Sequence, residues 1–271
     1  MTLSELAIIE LILLGAVSSA LTVLFLFSKR IRNAGIVDIF WAASYGIISI
    51  VFAAVCPGLF ERKVLLLIAV LPWSFRLTYY LLKRFLKEHP HEDTRYAALR
   101  REWGNRADVM LYLVFLFQGA LITVLSPPFV IIAADDHPSL RLLEIFGAVI
   151  CIIGTVGESI ADEQLRRFKT VSSNKGKVCS TGLWNYSRHP NYFFEFVVWV
   201  GIAIIAAPAP LGIYTVYCPL LMLYFLTQMT GIKISEAQSL KSRGEEYLRY
   251  QQTTSAFFPW LKKSQGTPGR R

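Results

Sequence analysis

The chain has 271 residues, 54% of them hydrophobic and only 17% charged, with a mean hydropathy of +0.45, a balance too apolar for a soluble domain of that length. It reads as an all-α integral membrane protein, a single domain over 1–271 with no internal repeat and no linker-like stretch. The net charge of +9 does not by itself indicate nucleic acid, because in a membrane protein its meaning depends on which loops carry it.

A transmembrane helix needs about 20 apolar residues to cross a hydrocarbon core of about 30 Å, and seven stretches qualify in chain order. The first, 6–27, is followed by Lys29, Arg30 and Arg32. It opens on Glu5 and is too long for a cleavable signal, so it is expected to remain as a span. The second, 35–55, ends at Cys56-Pro57-Gly58, and the third, 64–82, contains Arg76. The fourth, 108–133, is interrupted by Pro127-Pro128; the fifth, 142–161, follows the turn Asp135-Asp136-His137-Pro138. The sixth, 191–207, and the seventh, 211–232, are separated by Pro208-Ala209-Pro210, a connection short enough to predict an antiparallel hairpin. Of the 28 Lys and Arg residues, 24 fall in segments 28–34, 83–106, 162–189 and 232–271. The positive-inside rule then predicts an external N-terminus and a cytosolic C-terminus. That asymmetry accounts for the net charge, and neither an RNA-binding nor a helix-turn-helix signature is present. Cys56, Cys151, Cys179 and Cys218 have no C-x-x-C spacing, so neither a metal site nor a disulfide framework is indicated.

Polar residues recur at helical spacing toward the basic end of four spans. Asp38, Trp41 and Tyr45 share a face of the second span, and Trp73, Arg76, Tyr80 and Arg84 share one on the third. Glu158, Asp162, Leu165, Arg166 and Lys169 form a stripe that leaves the fifth, while Asn191, Glu195 and Trp199 line up on the sixth. Lipid offers no hydrogen-bond partner, so the simplest expectation is that these stripes face protein or a common cavity. The plainer reading of Trp41, Trp73 and Trp199 is as belt or packing residues, and of Asp38 as a headgroup-level charge. The stretch 181–199 concentrates the most such groups, with Tyr186, Ser187, Arg188 and His189 preceding Pro190, then Asn191, Tyr192 and Glu195 inside an apolar run.

No H-E-x-x-H, G-x-S-x-G, P-loop or G-x-G-x-x-G pattern occurs, which excludes a Rossmann domain as the source of a dinucleotide site. Arg, Lys, Asn, His and Tyr side chains opening to one side suit an anionic, phosphate-bearing cofactor, and the carboxylates suit ribose hydroxyls or a carboxamide. The helix start at Pro190-Asn191 adds free backbone N–H groups for a phosphate.

The succession E-S-I-A-D-E-Q-L-R-R-F-K, G-L-W-N-Y-S-R-H-P-N-Y-F-F-E, T-G-I-K-I-S-E and E-Y-L-R-Y-Q-Q-T-T-S-A-F-F-P-W, with D-I-F-W and W-S-F-R-L-T-Y-Y upstream, resembles the steroid 5-alpha-reductase family, in its bacterial-type DUF1295 branch. The resemblance covers nearly the whole chain. The short R-H-P-x-Y core also occurs in sterol reductases and membrane methyltransferases; the preceding A-D-x-Q-L-x-x-F-K is what favours the reductases. It implies seven transmembrane helices and NADPH-dependent reduction of a carbon–carbon double bond conjugated to a ketone, in a lipophilic 3-oxo-Δ4-steroid-like substrate that enters from the bilayer.

Carried over residue by residue, the resemblance places Asn191 and Glu195 at the nicotinamide end. It places Asp162, Leu165, Arg166 and Lys169 at the adenosine and phosphates, with Arg76 and Tyr80 along the cofactor. Lys177 and Glu236 stand where the steroid enzymes carry an Arg and a His. Glu158, Tyr186, Arg188, His189 and Tyr192 complete the expected cofactor wall. The chain departs from the pattern at Phe194, where a small Gly is usual, and at Trp73, where the steroid enzymes carry the proton-donating Tyr. The acid is therefore expected from Tyr45, with Asp38 next. Alternatives are an S-adenosylmethionine-dependent membrane methyltransferase or a non-enzymatic sterol- or lipid-binding protein. The branch resembled points to a bacterial inner membrane, with the endoplasmic reticulum as the other location.

Overall fold

The computed structural model describes residues 1–229 and 231–262. Among these the chain is helical throughout, with no strand; the one β-contact is an isolated parallel bridge between Ser187 and Ser255. Its helices are α1 (Leu3–Ile31), α2 (Ile36–Val55), α3 (Phe60–Glu88), α4 (Thr94–Trp103), α5 (Ala107–Val124), α6 (Pro127–Ala134), α7 (Leu142–Thr170), α8 (Pro190–Ala206), α9 (Tyr217–Tyr224) and α10 (Ile232–Thr253). Six stretches of helix are long and apolar enough to cross a membrane. The expected sixth span corresponds to α8, a further apolar helix of 17 residues, about 26 Å long and shorter than the other six.

The chain divides into two compact units, Met1–Ala148 with Ile202–Thr215, and Val149–Gly201 with the chain from Val216 on. In the first, α2 and α3 pack closely because Gly46 leaves room for Ser74: a Cβ at Gly46 would lie 2.8 Å from Ser74 Oγ. Ser74 Oγ donates to Ala42 O at 2.6 Å and accepts from Gly46 N at 3.1 Å, binding backbone to side chain across the two helices. Thr2 and Glu5 form a reciprocal capping box at the start of α1. Farther along, Thr22 and Tyr112 share a hydrogen bond of 3.1 Å and Phe25 meets Phe115 edge-on, joining α1 to α5. The expected break in the fourth span is real, for α5 ends at Val124 and Pro127 begins α6.

A buried ionic clasp ties α3 to the first turn of α7 and the segment before it. Arg62, 0% exposed, donates from Nε to Glu144 Oε1 at 2.6 Å and from Nη1 and Nη2 to the carbonyls of Asp135 and Ser139 at 2.6 and 2.8 Å. Arg141 adds a 2.6 Å bond to Asp135. Burial alone would raise the Asp135 carboxyl, but the Arg141 bond, the His137 N–H and the Arg62 charge outweigh it and hold it below the usual range.

In the second unit α7 and α8 cross tightly. A Cβ at Gly154 would stand 2.7 Å from Val198 and one at Gly157 only 2.3 Å from the Phe194 ring. Helix α9 runs into a π-helical turn, Phe225–Met229, and α10 is kinked at Gly244, whose φ is 52°.

Candidate functional site

The segment between α7 and α8 is irregular, so its shape depends on side chains that fasten it. Trp184 Nε1 donates to Ala161 O at 2.9 Å, and Gln164 Oε1 accepts from Leu183 N at 2.9 Å, laying the 3₁₀ turn Gly182–Asn185 along α7. The C-terminal strap then holds the approach to α8. Arg188 N donates to Ser255 O at 2.8 Å, Trp260 N to Tyr186 O at 2.9 Å and Ser187 Oγ to Phe257 O at 2.8 Å. The Tyr250 hydroxyl bonds the Trp184 carbonyl, and Ser187 Oγ accepts from His189 N at 3.1 Å. Side chains together with two long-range backbone bonds thus supply what a strand or helix would supply elsewhere.

Arg188 and Glu236, both expected at the cofactor, are placed on each other. Arg188 Nε meets Glu236 Oε1 at 2.6 Å, with side-chain exposures of 10% and 15%. Arg188 Nη1 also reaches the carbonyls of Gln251 and Thr254 at 3.0 and 2.5 Å. Gln251 Nε2 donates to Glu236 Oε2 at 2.8 Å, and His189 Nε2 lies 3.4 Å from Glu236 Oε1. The His189 ring is stacked on Tyr192, with centroids 5.5 Å apart and planes 3° from parallel. The network joins the start of α8 to α10.

The stripes of α7 and α8 converge as their spacing predicts. Asn191 Nδ2 donates to Asp162 Oδ1 at 3.3 Å. Glu158, Asp162 and Glu195 are buried at 3%, 8% and 8% exposure, an expensive location for carboxylates within apolar helices. Asn191 Oδ1 is also buried and has no hydrogen-bond partner among the described residues, so its carbonyl is available to an N–H donor.

Where α7 leaves the apolar layer, a cleft of about 470 Å³ opens in the same unit. Leu165, Lys169, Lys175, Lys177, Cys179 and Arg243 are among its lining, and none of the described residues that line it is a carboxylate. Three of these, Leu165, Lys169 and Lys177, are expected cofactor residues. Lys175 and Arg243 escape the sequence reading; the only signal for them is charge in a loop and on a helix far along the chain. Arg243 is fixed by donating to Lys177 O at 3.0 Å and Ser239 Oγ at 3.1 Å. Burial pushes the Cys179 thiol up, which keeps it protonated. Arg166 points away into a pair with Glu163 at 2.6 Å, and Tyr186 is exposed at the surface.

In the first unit Tyr45 is 0% exposed. Its ring lies 4.9 Å from Trp41, 5.8 Å from Trp73 and 5.9 Å from Phe129, centroid to centroid. Asp38 accepts from Arg95 Nη2 at 2.6 Å and from the Tyr96 hydroxyl at 2.8 Å, a tie from α2 to α4 rather than a headgroup contact. Arg95 also contacts Asp93, the N-cap of α4, as does Arg84 at 2.5 Å. Burial would raise the Asp93 carboxyl, but Arg95 and Arg84 hold it below its ordinary value. On α3, Arg76 is half-buried and Tyr80 exposed. Among the described residues no group of three or more His, Cys, Asp or Glu gathers as metal ligands.

Residues 24–254 match the model of the family described as "Protein of unknown function (DUF1295)". No curated protein and no solved structure matches the chain.

Proposed function

The chain belongs to the DUF1295 family, and from the groups assembled in its second unit we propose that it is an NADPH-dependent membrane reductase of an enone double bond in a lipophilic, steroid-like substrate. The observation that carries this reading is the carboxylate-free cleft with Lys169, Lys175, Lys177 and Arg243, contiguous along α7 with the buried Asp162. Four cations without an acid suit the phosphates of a dinucleotide. They oppose S-adenosylmethionine, whose sulfonium and ammonium are themselves cationic, and pure lipid binding does not call for the buried carboxylates farther along α7.

The residues fit the cofactor at both ends. Lys169, Lys175, Lys177 and Arg243 would hold phosphates, while Asn191 Oδ1 is an acceptor suited to a carboxamide N–H. NADPH, when bound, would supply the hydride for the β-carbon of the enone, and an acidic side chain of the protein would pass the balancing proton to the product. Of the two expected acids, Asp38 is held as an acceptor by Arg95 and Tyr96, which favours Tyr45 for the proton. Within this reading α8 is a short seventh span, the basic loops and C-terminus face the cytosol, and the membrane is the bacterial inner membrane.

The test is calorimetric titration of detergent-purified protein with NADPH, NADH and S-adenosylmethionine, paired with loss of reduced-nicotinamide absorbance on adding progesterone or testosterone. NADPH is expected to bind, and Lys175→Ala/Lys177→Ala/Arg243→Ala to weaken it about ten- to a hundredfold. Binding of S-adenosylmethionine alone would end the reading.

A further inference from the structure

Trp41 carries a feature that neither belt anchoring nor packing explains. Its indole Nε1 is buried and has no hydrogen-bond acceptor among the described residues. A belt tryptophan shows its N–H to headgroups or water; this one is closed off from solvent. A packing tryptophan in a membrane helix has its N–H satisfied by a neighbour, because lipid provides no acceptor. Asp38, one turn earlier on the same face of α2, has its two oxygens engaged by Arg95 and Tyr96. Ser44, on the following turn, donates to Phe40 O at 2.7 Å. The donor is thus oriented without an acceptor, in a setting where water does not replace one.

Its surroundings narrow the ligand. The Trp41 ring meets Tyr45 edge-on at 83°, and Tyr45 in turn contacts Trp73 and Phe129. Four aromatic rings from α2, α3 and α6 favour a flat apolar body, and a single N–H favours one uncharged oxygen. We propose that Trp41 is the hydrogen-bond donor to the ketone oxygen of a lipophilic substrate. Trp73 occupies the place where the resembled enzymes have a tyrosine, and the indole of Trp41 supplies a donor in the same unit. Indole donates without transferring its proton, so Trp41 polarises and orients the carbonyl while the proton comes from another group. The inference rests on the reductase reading only in making this ketone the one conjugated to the reduced bond.

The experiment titrates full-length protein in detergent, carrying nitrogen-15 tryptophan, with progesterone and separately with its saturated hydrocarbon skeleton. The Trp41 indole resonance is assigned by its disappearance in Trp41→Phe. Progesterone should move that resonance downfield and the hydrocarbon should not. Progesterone labelled with carbon-13 at the conjugated ketone should show a lowered carbonyl stretch that returns to its apolar-solvent position in Trp41→Phe, with affinity reduced about two- to tenfold. A Trp41 resonance indifferent to the ketone, or a lowered stretch that persists in Trp41→Phe, overturns the proposal. The two readings separate cleanly: NADPH binding with an indifferent Trp41 defeats the donor and leaves the reductase. A ketone-dependent Trp41 shift without NADPH binding does the reverse.

Discussion

Replacing Glu236 by Ala should unfasten α8 from α10. The change removes the acceptor for Arg188 Nε at 2.6 Å and for Gln251 Nε2 at 2.8 Å, and the neighbour of His189 Nε2 at 3.4 Å. Breaking one partner of a fully buried ion pair costs about 3–5 kcal/mol. Here the side chains are 10% and 15% exposed and Arg188 keeps the Gln251 and Thr254 carbonyls, which places the loss near the lower end, at about 3 kcal/mol. For a protein of this size that corresponds to a drop of roughly 6–12 °C in Tm. Glu236→Gln preserves an oxygen toward Arg188 and should lose about half as much. Differential scanning fluorimetry in one detergent measures both, and Arg188→Met completes a double-mutant cycle. A Glu236→Ala shift under about 2 °C, or strictly additive effects with Arg188→Met, would refute a coupled network.

The clasp around Arg62 should behave at least as severely: Arg62→Met leaves Glu144, itself 0% exposed, with only the Arg141 guanidinium at 3.3 Å as a cation, for an expected loss of about 3–5 kcal/mol that Arg62→Met/Glu144→Leu partly restores in the same thermal assay. Asp93 has a depressed folded pKa, so its contribution is full above the unfolded value of about 4 and disappears as pH falls through the folded one. Asp93→Asn is therefore expected to lower Tm at neutral pH, with a deficit that shrinks toward zero on acidification; a deficit independent of pH would contradict the ionic role. Gly157→Ala should destabilise by about 1–3 kcal/mol through its clash with Phe194, and Phe194→Leu should relieve it.

Periodicity made the faces legible and left the partners hidden. The stripes of the fifth and sixth spans meet where their spacing predicts, Asp162 against Asn191, because helical phase is local information. Arg188 and Asp38 read from sequence as open functional groups, yet their partners lie 48 residues on at Glu236 and 57 on at Arg95. No local pattern encodes such pairings. Helix α4, which supplies Arg95 and Tyr96, has only ten residues and sits in a segment whose charge masked its helical character. The sixth apolar stretch, 191–207, by contrast is read to within a residue, because Pro190 opens the helix and the apolar run ends with it at Ala206.

Phe194 shows how a departure from a family pattern becomes intelligible once its neighbour is known. The extra ring volume is taken up by Gly157, and Gly154 lies under Val198. The contacts run in opposite senses along the two helices, from Gly154 with Val198, through Gly157 with Phe194, to Asp162 with Asn191. Aromatic ring and glycine gap together set the antiparallel register of α7 on α8. A slip of one turn, about 5.4 Å, would separate the Asp162 carboxylate from the Asn191 amide it orients and turn the Asn191 carbonyl elsewhere. Two glycines with no polar atom of their own in play thus determine where the acceptor of the candidate cofactor site points, and the register of the apolar crossing is part of the chemistry.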